Sequence, residues 1–130
     1  MMLHQFKKSE RIVSQKLIDE LFGGAGSHSM VAFPVRATYI IKERASGSSA
    51  PAAQLLVSVP KRRFKHAVDR NRVKRQLREA WRHHRQHVAD KVPAESQVAV
   101  AFVWLADSHQ PSSLVSARVK SLLIRIGEKL

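Results

Sequence analysis

The stretch VDRNRVKRQLREAWR, residues 68–82, constrains this chain more tightly than any other. On a helix turning about 100° per residue, Val73, Leu77, Ala80, Trp81, His84 and Val88 fall within one arc roughly 100° wide. That arc must face a core. Beside it Asn71, Lys74, Arg75, Arg78, Arg82 and Arg85 fill a second arc of similar width, with Arg72 further round and Arg70 at the apolar edge. Such a helix needs apolar structure on one side and has a continuous cationic rail on the other.

The bland explanation of a charge run is a solvated face, and three features speak against it. Positions 70, 74, 78 and 82 are all cationic at i, i+4 spacing, where like pairs cost about 0.2–0.5 kcal/mol each. A face built for stability alternates signs. The preceding KRRFK (61–65) brings Lys61, Arg62, Arg63 and Lys65 to the helix end that already carries the positive pole of the macrodipole, answered locally by Asp69 alone. Arginine also outnumbers lysine here, and its planar fork suits bidentate phosphate contact. The segment therefore reads as a nucleic-acid contact.

Composition agrees. Lys and Arg number 23 against 10 Asp and Glu, a formal charge of +13 that attracts polyanions. With 130 residues, 44% of them hydrophobic, residues 1–130 form one domain with one core. The absence of cysteine excludes disulfides and thiolate metal sites and is compatible with a reducing compartment. MMLHQFKKSERIV lacks the apolar run of a signal peptide, and no stretch approaches the ~18 apolar residues of a membrane span, so a cytoplasmic location is expected.

Along the chain, SQKLIDELF (14–22) has helical apolar spacing, with Ser14 as N-cap and Gly23 as stop. MVAFPVRATYIIKE (30–43) has strand composition, with Pro34 marking an edge, a bulge or a split. RASGSSAPAA (44–53) reads as a flexible hairpin tip leading into the strand QLLVSVP (54–60). The basic helix runs from about His66 to Val88. QVAVAFVW (97–104) is nearly all apolar, as in a central strand covered on both faces, and a final amphipathic helix carries apolar residues at 115, 119, 122, 123 and 126. The order α-β-β-β-α-β-α predicts an α+β fold with helices mainly on one face of a sheet.

SVPKRRFKHAVDRNRVKRQLREAWR (58–82) resembles the signature of the bacterial ribonuclease P protein family. Lys61-Arg62 stand at its first basic pair, Ala67 at its alanine, Arg70-Asn71-Arg72 at its central motif, Lys74-Arg75 at its second pair and Arg78-Glu79 at its closing pair. Where many members place a glycine before the alanine, this chain has Phe64-Lys65-His66. The resemblance implies a single-domain α-β sandwich with a left-handed βαβ crossover, against the usual right-handed preference. It implies a protein that binds a large catalytic RNA and the 5′ leader of precursor tRNA, and assists the endonucleolytic removal of that leader. Chemistry then belongs to the RNA and its Mg2+, with no catalytic residue, metal site or tightly bound cofactor in the protein and no protein partner required.

On this reading Lys61, Arg62, Arg63, Lys65, Arg70, Asn71, Arg72, Lys74, Arg75, Arg78 and Arg82 contact RNA. A cleft between the first helix and the sheet holds the single-stranded leader, offering Ile18, Phe22, Phe33, Arg36 and Lys61 as stacking and backbone-tracking groups, with Tyr39 nearby. Ile18 stands where many members have phenylalanine. A regular strand sets Arg36 and Tyr39 on opposite faces. The carboxylates are scattered without two-metal spacing, and Glu79, His83 and His87 at i, i+4, i+8 read as a solvated stripe. The rival function is an RNA-binding module of ribosomal or chaperone type with no part in cleavage.

Overall fold

In the computed structural model, residues 6, 8–45, 47–48 and 50–130 are described. After a 3-10 turn at Lys8–Glu10, the elements are α1 (Gln15–Gly23), β1 (His28–Ala32), β2 (Val35–Glu43), β3 (Ala53–Ser58), α2 (Ala67–His84), α3 (Gln86–Ala89), β4 (Ser96–Trp104) and α4 (Ser112–Lys129). The α+β sandwich expected from the sequence is present. Ser14 caps α1 as its pattern requires, its Oγ accepting from the Leu17 N–H at 3.3 Å. The helix runs one residue past the expected stop. Gly24, not Gly23, is the C-cap, because a Cβ there would collide with the Glu20 carbonyl that receives its N–H.

The strands form one sheet in the order β1-β2-β4-β3. β1 and β2 make an antiparallel hairpin in which Ala32 faces Val35, so Phe33 and Pro34 occupy the turn and the strand is split there, not bulged. β4 pairs antiparallel with β2 and parallel with β3. This corrects the hairpin expected around residues 44–53: β4 lies between β2 and β3, and the loop strides over its end. Within that loop, Ser46 and Ser49 lie outside the described residues. The parallel pairing of β3 with β4, with α2 in the connection, is the arrangement a βαβ crossover needs.

Alternation along the strands separates two packing layers. Val35, Ala37 and Tyr39 of β2, Leu55 of β3 and Val98, Val100, Phe102 and Trp104 of β4 meet Val73, Leu77, Ala80 and Trp81 of α2 and Val119, Leu122, Leu123 and Ile126 of α4. The opposite face is covered in part by α1, where Leu21 packs with Ile40, Ala99, Ala101 and Ile12. β4 is thus covered on both faces, as its apolar run predicts. The sequence reading placed the helices mainly on one face; α1 is the exception.

The basic helix ends at His84, and Arg85 joins it to α3. Gly127 lets α4 close on this junction, since a Cβ would run into the His87 carbonyl oxygen. Beneath it lies a buried ion pair. Glu10, 6% exposed, accepts from the Trp81 indole N–H at 3.1 Å and pairs with Arg85. The turn at Lys8–Glu10 is thereby fastened to the far end of α2.

Candidate nucleic-acid interface

The cationic arc does not remain wholly open. Arg70 donates to the carbonyls of Phe64 and Lys65, both at 2.9 Å, so it holds the turn that carries the preceding charges. Arg63 pairs with Asp107 at 3.1 Å, and Asp69 with His109 at 3.0 Å. His109 also stacks on Phe64 with ring centroids 4.7 Å apart. The segment 105–111 therefore fixes the shape of the basic turn. Arg82 pairs with Glu79, and Arg85, on the expected rail, is withdrawn to Glu10. The hydrogen bond from Arg82 holds the Glu79 carboxyl below its ordinary value and raises Arg82 in return.

Lys61, Arg62, Lys65, Arg72, Lys74, Arg75 and Arg78 are left without a carboxylate partner among the described residues. Asn71, Arg72 and Arg75 are exposed, Lys74 and Arg78 are half-buried, and Arg78 lies beside Leu55 and Val57 of β3. Arg78 is held below the usual arginine range, first by burial and then by the nearby charge of Arg11. The result is a patch of unneutralised guanidinium and ammonium groups on a rigid helix, suited to phosphate oxygens.

A second concavity, of about 460 Å³, opens where α1 stops covering the sheet. Across the four strands, Val31, Arg36, Val103 and Ser58 lie in one row, and Ser29, Thr38, Ala101 and Leu56 in the next. The side chains change from apolar under α1 to polar at the open end. Arg36 Nε donates to Ser29 Oγ at 2.9 Å, and Ser29 Oγ lies 3.2 Å from Thr38 Oγ1. Phe22, half exposed at 51%, forms one wall. Its ring and the Arg36 fork are the right groups for stacking a base and tracking a backbone.

Of the expected cleft residues, Phe22 and Arg36 line this space. The other three do not. Ile18 packs against the small core under α1, Phe33 is exposed in the β1–β2 turn, and Lys61 is exposed beyond β3. β3 ends at Ser58, two residues short of its expected end, and the following turn brings Arg62 to the cleft in place of Lys61. Tyr39 is 4% exposed in the main core, on the face opposite Arg36, because the β2 register is unbroken. Ser29, Thr38 and Ser58 were missed, although polar residues at the inward phase of each strand were a readable sign.

At the end of α2, Glu79 bonds Arg82 and lies 3.2 Å from His83, while His87 stacks on His84 at 6.3 Å. No group of three or more His, Cys, Asp or Glu positioned for a metal ion occurs among the described residues. His84 lies 2.8 Å from Ser116 Oγ and is held below its ordinary value near 6.5, mainly by burial and then by His87, Lys120 and His83. The unfolded chain thus takes up this proton at higher pH than the native one. The contribution of His84 to stability is complete above about pH 6.5 and is lost as the pH falls below it. Urea midpoints at pH 7.5 and 5.5 should show a smaller acid loss in His84→Gln than in the wild type; equal losses would refute the assignment.

The ribonuclease P family profile matches residues 6–126. The chain belongs to the ribonuclease P protein family. The ribonuclease P protein component of Porphyromonas gingivalis is 37% identical over 124 residues, spanning 92% of this chain and 85% of that one. That of Thioalkalivibrio sulfidiphilus is 33% identical over 84 residues, 65% of this chain and 63% of its own length. Among solved structures, a Staphylococcus aureus RNase P protein mutant with defective mRNA degradation activity superposes with a TM-score of 0.67 at 16% identity, over 93% of this chain and 90% of that one. The RNase P protein from Thermotoga maritima gives a TM-score of 0.67 at 16% identity, over 90% and 97%. These two likenesses concern the fold. As a ribonuclease P protein component, the chain is the protein part of a ribonucleoprotein endoribonuclease that acts in tRNA processing, and RNA is its partner.

Proposed function

We propose that the open face of α2 grips phosphates of the catalytic RNA while the α1–sheet cleft receives the 5′ leader of precursor tRNA. The observation that supports this most is the uneven use of the acidic residues. Glu10, Glu20, Asp69, Glu79 and Asp107 are all engaged by cationic or histidine partners, yet none neutralises Arg72, Lys74, Arg75 or Arg78. Crowded cations on a preformed helix gain most when a polyanion replaces the missing counter-charge.

The magnesium ions that activate water for hydrolysis are assigned to the RNA subunit, as the family resemblance implies. The protein contributes positioning: phosphate contacts set the two molecules in register, and the leader lies in a cleft floored by Arg36. A cytoplasmic location and independence from other protein partners complete the proposal. No helix among the described residues is long and apolar enough to cross a membrane.

The test is reconstitution at limiting magnesium. Adding the protein to ribonuclease P RNA and precursor tRNA should increase the rate of 5′ cleavage, and the protein without RNA should not cleave. Binding to the RNA with no gain in cleavage would favour the simple RNA-binding module instead.

A further inference from the structure

Arg11 lies outside the signature segment, yet the fold delivers it to the same surface. The Arg11 backbone forms a parallel bridge with Leu55, and the next N–H, from Ile12, bonds the Leu55 carbonyl at 3.0 Å. The segment is therefore pinned along the outer edge of β3. The Arg11 guanidinium sits over the Phe6 ring, 5.5 Å from its centroid, a cation–π contact that restrains the side chain. From the other side Arg78 projects from the rail of α2. Both arginines line one small recess of about 100 Å³ whose walls include Phe6, Leu55 and Val57.

The two guanidiniums carry like charge in one recess, and half-buried Arg78 feels the charge of exposed Arg11. Neither has a carboxylate partner among the described residues. Glu10, adjacent in sequence to Arg11, is already committed to Trp81 and Arg85. An anion with oxygens for two forks would offset that like charge, and Arg78 lies one turn along α2 from Lys74. We propose that Arg11 and Arg78 form a clamp for one backbone phosphate of RNA at the edge of β3, extending the interface from α2 onto the N-terminal segment. This inference rests on the RNA-binding reading above.

The experiment uses the full chain and ribonuclease P RNA, measuring affinity across a salt series together with the thermal midpoint of the free protein. Arg11→Gln should lower affinity about tenfold and reduce the log–log salt slope by about 0.7–0.9, the signature of one lost phosphate. The midpoint should not fall, because a repulsion is removed. Arg11→Met keeps an unbranched apolar side chain beside Phe6 and should show the same RNA defect. Introduced into an Arg78→Gln background, Arg11→Gln should have a much smaller effect, since the shared phosphate is already released.

If both Arg11 variants keep the wild-type slope while Arg72→Gln loses one contact, the clamp is wrong and the RNA reading stands. If Arg72→Gln also keeps the wild-type slope, the RNA reading fails and the clamp with it. Losses that simply add in the double variant would place the two arginines on separate phosphates and overturn the clamp. So would an Arg11→Gln defect that follows a lowered midpoint and is restored by Arg11→Met.

Discussion

The double charge reversal Arg72→Glu with Arg75→Glu should reduce affinity for the catalytic RNA by about two orders of magnitude and abolish protein-assisted processing at limiting magnesium. Both side chains are exposed and neither has an ion-pair partner among the described residues. Their loss therefore disturbs little within the protein, and stability should stay within about 0.5 kcal/mol of the wild type. In the complex, each charge-assisted contact contributes about 1.5 kcal/mol, so two removed contacts amount to about 3 kcal/mol, roughly a hundredfold in binding. Salt titration of binding, with thermal unfolding as the folding control, checks both halves. An unchanged affinity in a folded double variant would defeat the electrostatic account.

Glu10→Ala should produce the opposite pattern, a large loss of stability from a buried residue that carries none of the open cationic charge. The Glu10 carboxylate is buried between the Trp81 indole N–H and Arg85. Its removal deprives the half-buried Arg85 of this counter-charge and leaves the indole donor without this acceptor. Breaking one side of a buried pair costs about 3 kcal/mol or more, which for a domain of this size lowers the unfolding midpoint by about 10 °C. Glu10→Gln, which keeps an acceptor for Trp81, should fall between the two. A midpoint for Glu10→Ala within about 2 °C of the wild type would show that the pair contributes little.

Much of this architecture could be read from periodicity. Val73, Leu77, Ala80 and Trp81 recur at helical spacing and all are buried, and the apolar run of β4 does lie in the middle of the sheet. Those signals are local. What could not be read depends on which distant segments meet. The nine residues between β2 and β3 suit a hairpin tip as well as a stride over β4, so strand adjacency was misjudged. Glu10 sits in a polar string that looks solvated, and only the docking of that string beside Trp81 reveals it as buried. By the same contact, Arg85 leaves the rail to which helical geometry alone assigns it.

The candidate cleft shows the same division at finer scale. Phe22 and Arg36, which the family resemblance singled out, do line the cleft, and the opposite facing of Arg36 and Tyr39 followed from the strand period. The exchange of Lys61 for Arg62 was not, because it depends on where β3 ends and how the turn at Pro60–Arg63 closes. A one-residue change in a turn redirects a side chain, and no composition argument detects it.

Because β2 and β3 both hydrogen-bond to β4, this sheet cannot close until residues 96–104 have left the ribosome. Until then the nascent chain exposes unpaired strand edges, and its cationic stretch emerges beside ribosomal RNA with no sheet to hold α2 in place. Completion of the sheet is thus deferred to late in synthesis.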